Sequence, residues 1–117
     1  MSKPVITIEP SRTVLDACKV MAKRNIGSLV VVEKGKPVGV ITERDVINKV
    51  LGKSKNPAKF LVEQVMTPRV RTVELHDSVM DVSSIMKENN YRRIIVMDAK
   101  HIAGIITARD LIRIYSS

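Results

Sequence analysis

The sequence has no tryptophan, two tyrosines and one phenylalanine. Three aromatic rings give little surface for stacking unpaired bases, which counts against a single-strand nucleic-acid binder. Cysteine occurs once, at Cys18, so no intrachain disulfide can form. Val14, Cys18 and Met21 share a helical spacing, and Cys18 reads as a small core residue rather than a reactive thiol. His76 and His101 stand apart from any cysteine cluster, so no metal site is expected. No apolar run approaches the roughly 20 residues of a membrane span. The first residues, Met-Ser-Lys-Pro-Val, hold no long apolar segment, so no signal peptide is expected and the chain is placed in the cytoplasm. The spaced-glycine phosphate-loop and dinucleotide fingerprints are missing. No nucleophile–histidine pair has motif support. The expectation is therefore a protein that is not an enzyme and has no catalytic residues.

What is present is basic. There are 20 Lys and Arg against 12 Asp and Glu, a formal charge of +8. Such an excess suits an anionic partner: a nucleotide, a nucleic acid or an acidic protein surface. Hydrophobic residues make up 44%, ordinary for a soluble globule. A chain of 117 residues fits one compact domain or two very small interlocked ones.

One stretch is written twice. Gly39-Val40-Ile41-Thr42-Glu43-Arg44-Asp45-Val46 returns as Gly104-Ile105-Ile106-Thr107-Ala108-Arg109-Asp110-Leu111, 65 residues later. Each copy reads as a strand that breaks into a helix. Thr42 and Thr107 suit the N-cap, and Asp45 and Asp110 the capping-box position. Capping alone would account for a single Thr-x-x-Asp. The recurrence of glycine, arginine and spacing together points further. A helix N-terminus attracts anions such as phosphate, and a carboxylate beside it can accept two bonds from adjacent hydroxyls. A ribose phosphate offers both groups.

The offset holds without a gap over most of the chain. Val5, Thr7 and Glu9 match Val70, Thr72 and Glu74; Val14, Asp16, Met21 and Asn25 match Val79, Asp81, Met86 and Asn90. Each half resembles a CBS domain, and the whole resembles a tandem CBS pair, or Bateman module. The doubled Gly-aliphatic-aliphatic-Thr-x-x-Asp, the apolar strands 29–32 and 94–97, and Val65-Met66-Thr67-Pro68 carry the resemblance. It implies an α/β (α+β) chain of two β-α-β-β-α units packed face to face about a pseudo-two-fold axis. It also implies an adenine nucleotide (AMP, ADP or ATP) or S-adenosylmethionine as ligand, held between the units with no covalent cofactor. A homodimer and a separate effector protein are further implications, as such modules act as sensors. The expected boundaries are 1–55 for the first unit, 56–68 for a linker leading into the second, and 69–117 for the second unit.

Within each unit the sequence predicts a first strand (5–8 and 70–73), a capped helix (from Thr13 to about Arg24, from Ser78 to about Asn89) and a hairpin (28–33 with 37–41, 93–97 with 102–106). A second helix should follow Thr42 and run to about Leu51, and another should span about 108–115. Gly27 is expected in a left-handed conformation closing the first helix, and a short helix is expected over 58–64.

The halves differ where ligand specificity would lie. Gly27-Ser28 becomes Arg92-Arg93, and Ile6 becomes Arg71. The resemblance implies that Arg92 and Arg93 touch ligand phosphate. Arg44 and Arg109 suit phosphate contact at the helix N-terminus as well as they suit solvent or a neighbouring carboxylate. Asp45 and Asp110 are expected to take the ribose diol, and Thr42 and Thr107 to bond sugar or phosphate. Backbone groups near Ile6-Thr7 and Arg71-Thr72 are candidates for adenine. The competing function is a nucleic-acid-binding accessory protein that uses the basic surface.

Overall fold

The computed structural model describes residues 5–68, 70–74, 93–98 and 101–107. They fall into two compact units, one of them Ile6–Arg69, the other formed from Val5 and the described residues from Val70 onward. The predicted helices 78–89 and 108–115 lie outside the described residues.

The first unit opens with β1 (Thr7–Ile8), followed by α1 (Val14–Arg24), β2 (Ser28–Glu33), β3 (Lys36–Thr42) and α2 (Glu43–Lys49). The sheet order is β1-β2-β3, with β1 parallel and β3 antiparallel to the central β2. Leu29, Val30 and Val31 are fully buried, as the unbroken apolar run of a central strand predicts. Leu29, Val31 and Ile41 pack with Val14, Ala17 and Met21 of α1 and with Val46 of α2. Each valine, leucine, isoleucine or methionine among them contributes about 1.5–3 kcal/mol when buried, and Ala17 less. Cys18 packs against this core half-buried, and burial pushes its thiol pKa up.

Thr13 and Asp16 form the predicted capping box: the Asp16 amide donates to Thr13 Oγ1 at 3.0 Å and the Thr13 amide to Asp16 Oδ2 at 3.4 Å. The other end of α1 corrects the sequence expectation. The left-handed residue is Asn25 (φ 55°, ψ 48°), not Gly27. The Asn25 amide bonds the Ala22 carbonyl and the Ile26 amide bonds the Met21 carbonyl, which is the Schellman closure, and asparagine tolerates it. The β2–β3 hairpin turns at Lys34-Gly35, both with positive φ, between the paired Glu33 and Lys36. That two-residue loop matches the twist of the strands it joins.

Residues 56–67 close the first unit. The expected single helix over 58–64 is instead a 3₁₀ turn (Pro57–Lys59) and a short α3 (Val62–Val65), with Phe60 and Leu61 extended between them. The backbone there is committed to the start of α1: the Val14 amide donates to Phe60 O, and the Val62 amide to Arg12 O, both at 2.8 Å. Val62 and Val65 enter the core. Thr67 then pairs with Val40 on the free edge of β3, through bonds of 3.0 and 2.9 Å. Gly39 permits the crossing. A Cβ there would lie 2.6 Å from Met66 Sδ and 2.9 Å from the Thr67 carbonyl oxygen.

In the second unit β4 (Arg71–Glu74) runs parallel to β5 (Arg93–Asp98), which pairs antiparallel with β6 (His101–Thr107). The order β4-β5-β6 repeats that of the first sheet. Even the irregularity repeats. The register slips between Val31 and Val32 in one sheet and between Val96 and Met97 in the other, leaving Val38 and Ala103 as the extra residues.

Candidate functional site

The motif of the first repeat straddles the junction of β3 and α2. Thr42 ends the strand, and Asp45 sits in the first turn of the helix. Both are buried, each 9% exposed. The Asp45 amide donates to Thr42 Oγ1, while the Thr42 amide and hydroxyl both donate to Asp45 Oδ2, all at 3.1 Å. Asp45 therefore caps its own helix through a reciprocal pair.

Two further groups reach the same carboxylate, and the sequence reading missed both. Lys49 Nζ lies 3.2 Å from Asp45 Oδ1 and also donates to the Val65 carbonyl at 2.9 Å. The Thr67 hydroxyl donates to Asp45 at 3.3 Å (Oδ1) and 3.5 Å (Oδ2). Asp45 with Lys49 is an i, i+4 acid–base pair, a signal present in the sequence. Thr67 gave no local signal, since its partner lies 22 residues earlier.

The remaining candidates fall as follows. Arg44 is exposed on α2. Ile6 packs half-buried on the core, and its carbonyl already accepts from the Val30 amide at 3.1 Å. Thr7 is exposed on β1, paired with Val30. Arg71 and Thr72 are exposed on β4, opposite Ile94 and Ile95. Arg93 begins β5 and Thr107 ends β6. Arg92, Arg109 and Asp110 lie outside the described residues.

Strand register adds what the motif alone does not. Ser28 pairs with Thr42, and Arg93 pairs with Thr107. Directly opposed residues on antiparallel strands stand about 4.5–5.5 Å apart at Cβ. The position that changes from serine to arginine is thus the cross-strand partner of the motif threonine. The neighbouring Gly27 carbonyl accepts from the Glu43 amide at 3.0 Å, and a Cβ at Gly27 would lie 3.5 Å from the Glu43 carboxylate. Sixty-five residues on, the equivalent pair is Arg92 and Ala108. The first repeat carries an acid at this point; the second carries an arginine and no acid.

An open depression of about 650 Å3 lies at the hairpin end of the first sheet, away from Thr42. Its charged lining includes Glu9, Asp16, Glu33 and Glu63 against Arg12 and Lys34. The balance is acidic and does not suit phosphate. Of the candidate residues that are described, Thr7 alone borders it.

Two small sheets, each with a glycine-marked strand ending in the same threonine, define a duplicated CBS unit. The CBS domain family model matches residues 1–52 and 62–117, and the chain belongs to that family. It is 36% identical over 114 residues to an uncharacterized protein of Methanopyrus kandleri, covering 96% of this chain and 58% of that one. It is 34% identical over 117 residues to the L-aspartate semialdehyde sulfurtransferase of Methanocaldococcus jannaschii, covering 98% of this chain and 22% of the enzyme. The chain thus spans somewhat over half of the first relative's length and about a fifth of the second's. Among solved structures it resembles a hexameric CBS-CP12 protein from bloom-forming cyanobacteria. That match has a TM-score of 0.79 and 29% identity over 96% of this chain and 66% of that one. CBS domains are regulatory ligand-binding modules. Among the described residues, no helix is long and apolar enough to cross a membrane.

Proposed function

We propose that the chain senses an adenine nucleotide, or an adenosyl compound such as S-adenosylmethionine, and passes its bound state to a partner protein. The doubled Thr-x-Arg-Asp supports this, as a hydroxyl and a carboxylate suit a ribose phosphate. The observation that carries the finer reading is the register. Arg93 stands across from Thr107, where Ser28 stands across from Thr42. The second repeat is accordingly the tighter site for a phosphorylated ligand. One charge-assisted hydrogen bond contributes about 1.5–3 kcal/mol, and about 1.4 kcal/mol is a tenfold change in affinity. Glu43 beside Gly27 widens the gap by repelling phosphate from the first repeat.

Thermal-shift screening against AMP, ADP, ATP, S-adenosylmethionine and GTP identifies the ligand class, because native-state binding raises apparent stability. Calorimetry on Asp45→Asn and Asp110→Asn then locates the tight site. At Asp45 the amide keeps one oxygen for the Thr42 donors, and a thermal melt of each variant checks that it is folded. Asp110→Asn should abolish the tight event and Asp45→Asn should leave it. The opposite result would overturn the assignment. No nucleotide response, with oligonucleotide binding that collapses in salt, would favour the nucleic-acid alternative.

A further inference from the structure

The Asp45 carboxylate is full. An ionised carboxylate has about four acceptor positions, and four donors claim them: the Thr42 amide, the Thr42 hydroxyl, the Lys49 ammonium and the Thr67 hydroxyl. A ribose diol can therefore be accepted only in exchange for donors already present. The Thr42 donors are poor candidates for release, since Thr42 is buried and its amide is fixed at the helix start. The other two sit towards solvent. Thr67 is exposed, and the Lys49 side chain is 46% exposed.

Both replaceable donors hold the same piece of chain. Thr67 is itself in the segment that follows α3, and Lys49 ties Asp45 to the Val65 carbonyl. Exchanging them for a diol removes two side-chain ties from residues 65–67 and leaves the paired backbones of Val40 and Thr67. We propose that residues 65–67 are a latch closed on Asp45 and loosened when a vicinal diol takes that carboxylate. This rests on the reading of Asp45 as a diol acceptor. It adds a route by which occupancy of the first repeat reaches the chain leading to Val70, and it makes Thr67 a residue that sets affinity by competing with ligand.

The test uses the full chain in an Asp110→Asn background, so that only the first repeat's site is read. The probe is adenosine, which has the diol and no phosphate. Thr67→Val keeps the shape and extended preference of residue 67 and removes the hydroxyl. Calorimetry should show Thr67→Val binding adenosine about three- to tenfold more tightly, the scale of one lost competing hydrogen bond. Thr67→Ser should behave as the parent. Amide exchange at Val40 and Thr67 should quicken on adding adenosine to the parent, and should start faster and respond less to adenosine in Thr67→Val, where only the Lys49 tie is left to displace. Adenosine binding with no gain in Thr67→Val, or a ligand that slows exchange at these two amides, overturns the latch. Serine behaving as valine overturns it too, since shape rather than the hydroxyl would then be at work. Absence of adenosine binding in all three proteins removes the diol reading itself, and the latch with it.

Discussion

At the residue scale, one device serves two purposes. Thr13–Asp16 and Thr42–Asp45 are the same capping box at different depths. Asp16 is partly exposed and paired with Arg12 at 3.3 Å, an exposed i, i+4 contact of small weight. Its carboxyl is held below the ordinary range, first by the Thr13 hydroxyl and only later in rank by Arg12. A carboxylate whose folded pKa is depressed contributes stability above its unfolded pKa and loses it as pH falls through the folded value. The wild-type chain should therefore lose thermal stability on the acid side of the usual carboxylate range, and Asp16→Asn should flatten that limb of the curve. Thr13→Ala should cost about 1 kcal/mol in denaturant unfolding, without touching nucleotide response. The Thr42 pair could be found from sequence because a cap is a local pattern. Thr67 could not, because it meets Asp45 only through tertiary pairing on β3. The left-handed Asn25 was overlooked for another reason. Gly27 needs less conformational strain to turn left, but Asn25 is the residue that follows the last helical carbonyls needing closure.

At the element scale, the central strands β2 and β5 were legible to within a residue, because their burial leaves an unbroken apolar run, whereas β1 covers only Thr7–Ile8 of the expected 5–8. The connecting segment was not. Residues 56–68 read as a linker, yet within them Phe60 and Val62 bond the start of α1 and Thr67 pairs with β3. Their commitment turns the motif glycine into a packing requirement. Gly39→Ala should destabilise the chain by about 1–3 kcal/mol, the usual cost of overpacking, read as a lower denaturant midpoint at unchanged slope. Shortening Met66 in the same protein should recover only part of that. The Thr67 carbonyl, 2.9 Å from the added methyl, is backbone and stays.

At the scale of the whole molecule, the described surface leaves two large aliphatics uncovered within their unit. Ile47 is 54% and Leu51 53% exposed, four residues apart along α2 and the turn after it. Together with the family, they motivate the expectation of self-association, most commonly as a symmetric pair. Light scattering at tens of micromolar should report about twice the 13.1 kDa of one chain. A mass that stays at one chain over that range would set the dimer aside. The high positive charge opposes such pairing at low ionic strength, so the measured mass should rise with moderate salt.

The strand-edge pairing of Thr67 has a bearing on how such chains are recombined. The period written in the sequence and the body that buries the first core are offset from each other. The period restarts near Val70, while α1 and β3 are finished by residues that come just before it. A chimera that exchanges the first repeat between relatives and cuts after the α2 helix would inherit a sheet from one parent and its closing strap from another. The junction that keeps donor and acceptor together lies after Pro68. Duplication of this unit copied a motif, but exchange between its descendants must respect a longer piece of chain than the motif itself.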